Sequence, residues 1–226
     1  MPFSPLPKPL IADIASFDTE SHFLELGSGE GHFIGLLKAR GVHCWGMDLR
    51  HPAGGVVCDL VGDARHAPIK PSSMSLVVAA NLVRHITPRH RLLEYLTAWR
   101  SLLKPGGLLY LFEDEPSASL PAERNFRDLQ EFLSRLMPES RGPLMSLDRF
   151  KSLLSESPDA ANWTFGCQAN EVTIDATTVV RFLAAGQGSP TGKQATLLRA
   201  IGRDGVSPGR YWYARVGPVP PEMDIK

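Results

Sequence analysis

The segment Phe23-Leu24-Glu25-Leu26-Gly27-Ser28-Gly29-Glu30-Gly31-His32-Phe33 sets three alternate glycines between an apolar run and a stretch of helical periodicity. Such a turn lets backbone approach a ligand closely, and its amides, with the helix N-terminus that follows, favour a negatively charged group. The rest of the chain repeats the same alternation. His22–Leu26, His43–Met47, Val56–Val61, Leu76–Ala80 and Leu108–Phe112 read as strands one to five. Phe33, Leu36 and Leu37 mark one helical face, while Leu92, Leu96, Trp99 and Leu103 mark a long helix stopped by Pro105-Gly106-Gly107. Strands alternating with helices predict an α/β fold with a parallel sheet and crossover helices.

At 226 residues the chain reads as one large domain, because roughly 100–200 residues per domain is a soft prior that α/β folds exceed. Pro2, Pro5, Pro7 and Pro9 predict an extended arm and Leu10–Phe17 a short helix, so 1–20 form an N-terminal arm. The single domain then covers 21–217, and 218–226, with Pro218, Pro220 and Pro221, form a flexible tail. A helical cover is expected over about 116–155, with amphipathic segments at Phe126–Met137 and, capped by Ser146, at Leu147–Leu154. Trp163–Ile174 contains strand six. Asp175 caps a helix running to Ala185 within an insertion over about 175–209, and Arg210–Val216 is the last strand. Gly188-Ser189-Pro190-Thr191-Gly192-Lys193 reads as a flexible loop: Gln187 stands where a phosphate loop has its first glycine and Gln194 where it has Ser or Thr.

Lys+Arg and Asp+Glu both number 24, so no long-range field draws in polyanions and nucleic acid is a disfavoured partner. No apolar run reaches the roughly 18–20 residues that span a bilayer, and prolines occupy the N-terminus where a signal peptide is apolar. A cytoplasmic protein without a membrane partner is the expectation. Cys44, Cys58 and Cys167 are too few and too scattered for a disulfide framework or a zinc site, and the seven histidines show no paired helical spacing for a metal.

The dinucleotide fingerprint needs a third glycine where His32 stands, which argues against a nicotinamide or flavin cofactor. The segment resembles instead the first motif of the class I S-adenosylmethionine-dependent methyltransferases, acidic-x-G-x-G-x-G, with Glu25, Gly27, Gly29 and Gly31 in register. Gly62-Asp63-Ala64, the run Ser75 to Ile86 and Leu103-Lys104-Pro105-Gly106-Gly107 resemble that family's later motifs. The resemblance covers about 21–115 and is nearest to the small-molecule branch called methyltransferase type 11.

The family implies a Rossmann-like, seven-stranded, mostly parallel doubly wound sheet with an antiparallel last strand and a helical cover. It implies S-adenosyl-L-methionine as cofactor, with Asp48 accepting hydrogen bonds from the ribose hydroxyls and Asp63 from the adenine amine. Glu25, Gly27, Ser28, Gly29, Gly31, Leu49, Ala64 and Asn81 complete the implied cofactor set. One feature departs from the pattern: Asp48 and Asp63 are 15 positions apart, which leaves almost no room for a helix between strands two and three. A shortened crossover also occurs in ribose 2′-O-methyltransferases that act on ribosomal RNA. Their Lys-Asp-Lys-Glu set is missing here, where Asn81, Leu82 and Val83 follow strand four.

The expected reaction is methyl transfer to an O, N or S nucleophile of a small molecule. A non-catalytic binder of the cofactor or its demethylated product, and an RNA or protein methyltransferase, are the alternatives. The sulfonium methyl is already electrophilic, so the protein has to align the reactants and remove a proton. Candidate bases are His85, after strand four, and Glu113 or Asp114, after strand five. Arg84, His85, Arg89, His90 and Arg91 form a basic cluster, either a solvated surface or an anion-binding site in which Arg84 pairs with a carboxylate or phosphate of the acceptor. Phe126, Leu129 and Arg141 are expected to shape the acceptor pocket. Tyr211, Trp212 and Tyr213 read as sheet core.

Overall fold

The computed structural model describes residues 8–50, 58–86, 91–138, 142–158, 160–170, 172, 174–177, 179 and 192–217. Its strands are β1 (Phe23–Leu26), β2 (Cys44–Asp48), β3 (Leu60–Val61), β4 (Met74–Ala80), β5 (Leu103–Asp114), β6 (Trp163–Ala169) and β7 (Arg210–Val216). They form one sheet in the order β3-β2-β1-β4-β5-β7-β6. The pairs from β3 to β5 are parallel, and β7 runs antiparallel to both its neighbours. The doubly wound order places the carboxyl ends of β1 and β4 side by side, where the strand order reverses and ligands bind in such sheets.

Each sheet face carries its own apolar layer, as alternating side chains dictate. Leu24, Leu26, Val77, Leu109, Leu111 and Trp212 pack under α3 (Leu92–Ser101) and α5 (Leu147–Leu154). Phe23, Leu76, Val78, Tyr110 and Phe112 pack under α1 (Lys8–Ser16) and α2 (His32–Lys38). Buckling α1 to the sheet, Asp13 accepts from the Tyr110 hydroxyl and pairs with Arg215 of β7 at 2.8 Å. Burial and the Asp13 hydrogen bond hold the Tyr110 phenol well above its ordinary pKa.

Four expectations change. Strand three is confined to Leu60–Val61, and Val56 and Val57 lie outside the described residues. The helix ahead of Pro105 ends at Ser101, because Leu103 already pairs with Met74 and β5 begins there. Lys104-Pro105-Gly106-Gly107 is therefore a bulge in a strand: pairing jumps from Met74↔Leu103 to Leu76↔Leu108, and a Cβ on Gly107 would lie 2.9 Å from the carbonyls of Lys104 and Met74. Third, the expected cover splits. Helix α4 (Pro121–Leu136) leaves the sheet, whereas α5 returns to it, with Phe150 stacked on Trp212 at 4.9 Å. Ser146 caps α5 as read, accepting from the Arg149 amide at 3.3 Å.

Fourth, the loop read around Gly192 opens a 13-residue helix, α6 (Gly192–Asp204), which packs on α4. Phe126, Leu129 and Leu133 meet Ile201 and Val206 in a third, separate apolar cluster. Asn125 locks the pair by donating to the carbonyls of Ala200 (3.1 Å) and Gly205 (2.8 Å), which satisfies the orphan acceptors at the end of α6. Asp175 accepts from the Thr177 amide at 3.1 Å, as a capping residue does; the expected course to Ala185 lies outside the described residues.

Candidate active site

The glycine turn is bolted to the neighbouring strand. Amides of Gly27 and Ser28 both donate to the Met47 carbonyl, at 2.7 and 3.0 Å. Gly27 has φ +70°, which strains any residue with a Cβ, and a Cβ there would stand 2.8 Å from Leu82 Cδ1 and force that side chain to move. Asp48, the last residue of β2, accepts the Gly29 amide on Oδ2 at 2.8 Å and the Arg50 amide on Oδ1 at 3.2 Å. This pins its carboxylate across the turn with lone pairs remaining for ligand hydroxyls.

Glu25, only 3% exposed, reaches from β1 to accept the Ile34 amide at 3.0 Å. It caps α2 from outside, a task Gly31 at the N-cap position has no side chain to perform. Burial pushes the Glu25 carboxyl up to about 8, against the opposing pull of the Ile34 hydrogen bond. Ser28 lies beside Gly46, its hydroxyl buried without a hydrogen-bond partner among the described residues.

After β3, Asp63 caps a short 3-10 turn, Ala64–His66. Its Oδ1 accepts the Arg65 amide at 2.8 Å and its Oδ2 lies 3.5 Å from the Arg65 guanidinium. Helix α3 closes on this turn: the Trp99 indole donates to the Ala64 carbonyl at 3.0 Å, and the Arg65 guanidinium sits 5.9 Å from the centre of the Tyr95 ring.

At the end of β4, Asn81 adopts φ +54°, a strained conformation for a residue with a Cβ. Its amide donates to Phe112, and its side chain accepts from the Asp114 amide at 3.3 Å. Arg84 is buried. Its guanidinium lies 3.4 Å from Asp114 Oδ2 and 3.8 Å from Glu113 Oε2, while its amide donates to Glu113 Oε1 at 3.0 Å. Burial raises the Asp114 carboxyl and the Arg84 charge opposes that rise. The Nδ1 of His85 accepts from Gly142 at 3.4 Å, and a neutral ring that accepts there carries its proton on Nε2.

These elements enclose one cavity of about 880 Å³, lined by residues from Glu25 to Tyr95. It brings together Glu25, Gly27, Ser28, Gly29, Asp48, Leu49, Asp63, Ala64, Asn81, Arg84 and His85. Gly31 is buried behind it, and Glu113 and Asp114 stand fully buried behind Arg84. The solvated-patch reading of Arg84 thus gives way to a buried ion cluster, which also occupies the charge meant for an anionic acceptor. As bases, Glu113 and Asp114 are committed to Arg84, and His85 presents a protonated Nε2 in its Gly142-bonded form. Arg89, His90 and Arg141 lie outside the described residues. Phe126 and Leu129 face α6 rather than the cavity. Tyr95 lines the cavity and is a residue that sequence reasoning did not single out; it stands one helical turn before Trp99, which lies in the core.

No cluster of three His, Cys, Asp or Glu with metal-binding arrangement occurs among the described residues, and none of their helices is long and apolar enough to cross a membrane. The cavity suits S-adenosylmethionine. Asp48, at the end of β2, and Asp63, two residues beyond β3, line it with acceptor oxygens that match hydroxyl and amine donors.

Fold and cavity together define a class I, nucleoside-binding methyltransferase. The methyltransferase domain family model matches residues 5–157, and the chain belongs to that family of S-adenosylmethionine-dependent methyltransferases. None of the curated proteins matches it. Among solved structures, it resembles an S-adenosylmethionine-dependent methyltransferase from Archaeoglobus fulgidus at 18% identity, covering 92% of this chain and 91% of that one, with a TM-score of 0.56. A Haloferax volcanii putative methyltransferase, solved in complex with the Trm112 methyltransferase activator, gives 18%, 93% and 88%, and 0.55. Phosphoethanolamine N-methyltransferase 2 of Haemonchus contortus, solved with S-adenosyl-L-methionine, gives 15%, 93% and 52%, and 0.52. At these identities the likeness is one of fold.

Proposed function

We propose that the chain methylates a small molecule, with its cavity divided into a cofactor half and an acceptor half. The observation that carries this reading is a cavity of about 880 Å³, within the range of small-molecule sites and lined from Asp63 to His85. A net charge of zero supports it, since nucleic-acid binding draws its affinity from basic surface.

The cofactor, when bound, supplies an electrophilic methyl group. In the cofactor half Asp48 accepts from the ribose hydroxyls and Asp63 from the adenine amine, while Leu49, 65% exposed, offers the base an apolar face. Gly27, Ser28 and Gly29 bring backbone close enough to bind the amino-acid end, and Glu25 and Gly31 hold the turn and helix behind them. In the acceptor half Asn81, Arg84 and His85 form the wall. Arg84, already paired with two carboxylates, fixes that wall instead of clamping an anion. Alignment then carries the rate.

The test is S-adenosylhomocysteine formation with pools of small amines, phenols, thiols and carboxylic acids set beside RNA and protein pools. Turnover confined to a small-molecule pool is the expected result. Turnover confined to RNA or protein would overturn it.

A further inference from the structure

Asp63 is gripped from two sides, and both grips lead back to α3. On one side Trp99 donates to the Ala64 carbonyl at 3.0 Å, holding the Ala64–Arg65 peptide whose N–H donates to Asp63 Oδ1 at 2.8 Å. On the other, the Tyr95 ring carries the Arg65 guanidinium 5.9 Å from its centre, and that guanidinium lies 3.5 Å from Asp63 Oδ2. Tyr95 and Trp99 pack edge to face at 5.9 Å, so the two braces are in contact with each other. The Asp63 side chain is itself about one-third exposed, and a carboxylate on a short turn would otherwise sample several rotamers.

We infer that Tyr95 and Trp99 are positioning residues that aim the Asp63 carboxylate, and that through it they set the discrimination of adenine against other purines at the nucleoside end of the cavity. This rests on the reading that Asp63 accepts from the adenine amine. The chemistry is one of donor against acceptor. Adenine offers an amine to a carboxylate, whereas hypoxanthine offers a carbonyl oxygen there, which an aimed carboxylate repels and a wandering one tolerates. Tyr95 also lines the cavity, so its ring supports the base by direct contact as well. That contact is the same for both purines and drops out of their affinity ratio.

The experiment measures, by calorimetry, the affinities for S-adenosylhomocysteine and S-inosylhomocysteine in the full chain. The native protein is expected to prefer the adenine compound by tenfold or more, and Asp63→Asn to lose that preference. Tyr95→Leu and Trp99→Phe are each expected to reduce the ratio at least threefold, while Tyr95→Phe, which keeps the ring under Arg65, restores it. Should Tyr95→Leu and Trp99→Phe weaken both ligands equally at a native ratio, α3 is only a structural support and the inference fails. If Trp99→Phe does not fold, the Tyr95→Leu and Tyr95→Phe pair decides alone. An unchanged ratio in Asp63→Asn would instead overturn the Asp63 reading itself, leaving the braces with nothing to aim.

Discussion

The strand-end cavity and the α4–α6 pair obey different rules. Around the cavity, side chains are held by hydrogen bonds from strand ends and turns: Gly29 to Asp48, Ile34 to Glu25, Arg65 to Asp63, Asp114 to Asn81. The α4–α6 pair is held by apolar contact, with Phe126, Leu129, Leu133, Ile201 and Val206 forming a cluster apart from both faces of the sheet. The first region is built to keep polar groups aimed; the second is built to stay folded on its own terms. Between α4 and α5, the Gly142 amide reaches the site at His85. Cofactor binding and the integrity of the helical pair should therefore be separable.

Phe126→Ala tests that separation most severely. Removing a fully buried phenylalanine costs about 3–5 kcal/mol. Hydrogen exchange should rise across Pro121–Leu136 and Gly192–Asp204, while the affinity for S-adenosylhomocysteine stays within about twofold of native, because distant sites without shared partners respond independently. A parallel collapse of cofactor affinity would mean the two regions are one unit. Gly27→Ala strikes the other region. Its backbone strain and the Leu82 clash together cost roughly 2–4 kcal/mol, and calorimetry should find cofactor binding abolished with exchange in α4 and α6 unchanged.

Asp48→Ala sharpens the picture within the cavity. Each charge-assisted hydrogen bond to the ribose contributes about 1.5–3 kcal/mol, so cofactor affinity should fall at least tenfold, measurable by calorimetry. Native affinity would remove Asp48 from the site. The smallest effect is a slope. Glu25 is raised from its ordinary value to about 8, so between about 4.5 and 8 the folded state holds a proton that the unfolded state has released. Stability contributed by that proton is full below the lower value and is lost as pH rises through the upper one. Denaturant titrations should show Glu25→Gln flattening that decline, by at most about 1.4 kcal/mol per pH unit.

The same contrast decides what was legible beforehand. The glycine-turn end of the cavity is local: Glu25 precedes the turn, Asp48 ends a strand and Asp63 follows Gly62, so resemblance to short sequence motifs singled out all three, and all three line the cavity. Arg84 could not be read this way. Its partners Glu113 and Asp114 lie on the next strand, and only the pairing of β4 with β5 shows that its charge is consumed. Helix α6 was obscured by Gly-Ser-Pro and Thr-Gly ahead of it, although Leu197, Leu198 and Ile201 already carried helical spacing. Proline and two glycines likewise suggested a stop at Lys104–Gly107, where the sheet instead absorbs them as a bulge.

The antiparallel strand β7 has a consequence for how the molecule is made. It sits between β5 and β6, and among the described residues β6 pairs with no other strand. As the chain leaves the ribosome, all the described residues of the cavity are synthesised long before Arg210, yet until then β5 presents an open edge and β6 has nowhere to dock. An unpaired edge of that kind is a template for the wrong strand. The last strand therefore acts as a closing stitch. Arg215 reaches back to Asp13, 202 positions earlier, so the first helix, already bonded to Tyr110 of β5, gains its second fastening only when the last strand arrives. Nascent chains arrested before Arg210 should carry every described cavity residue and still need a chaperone to stay in solution.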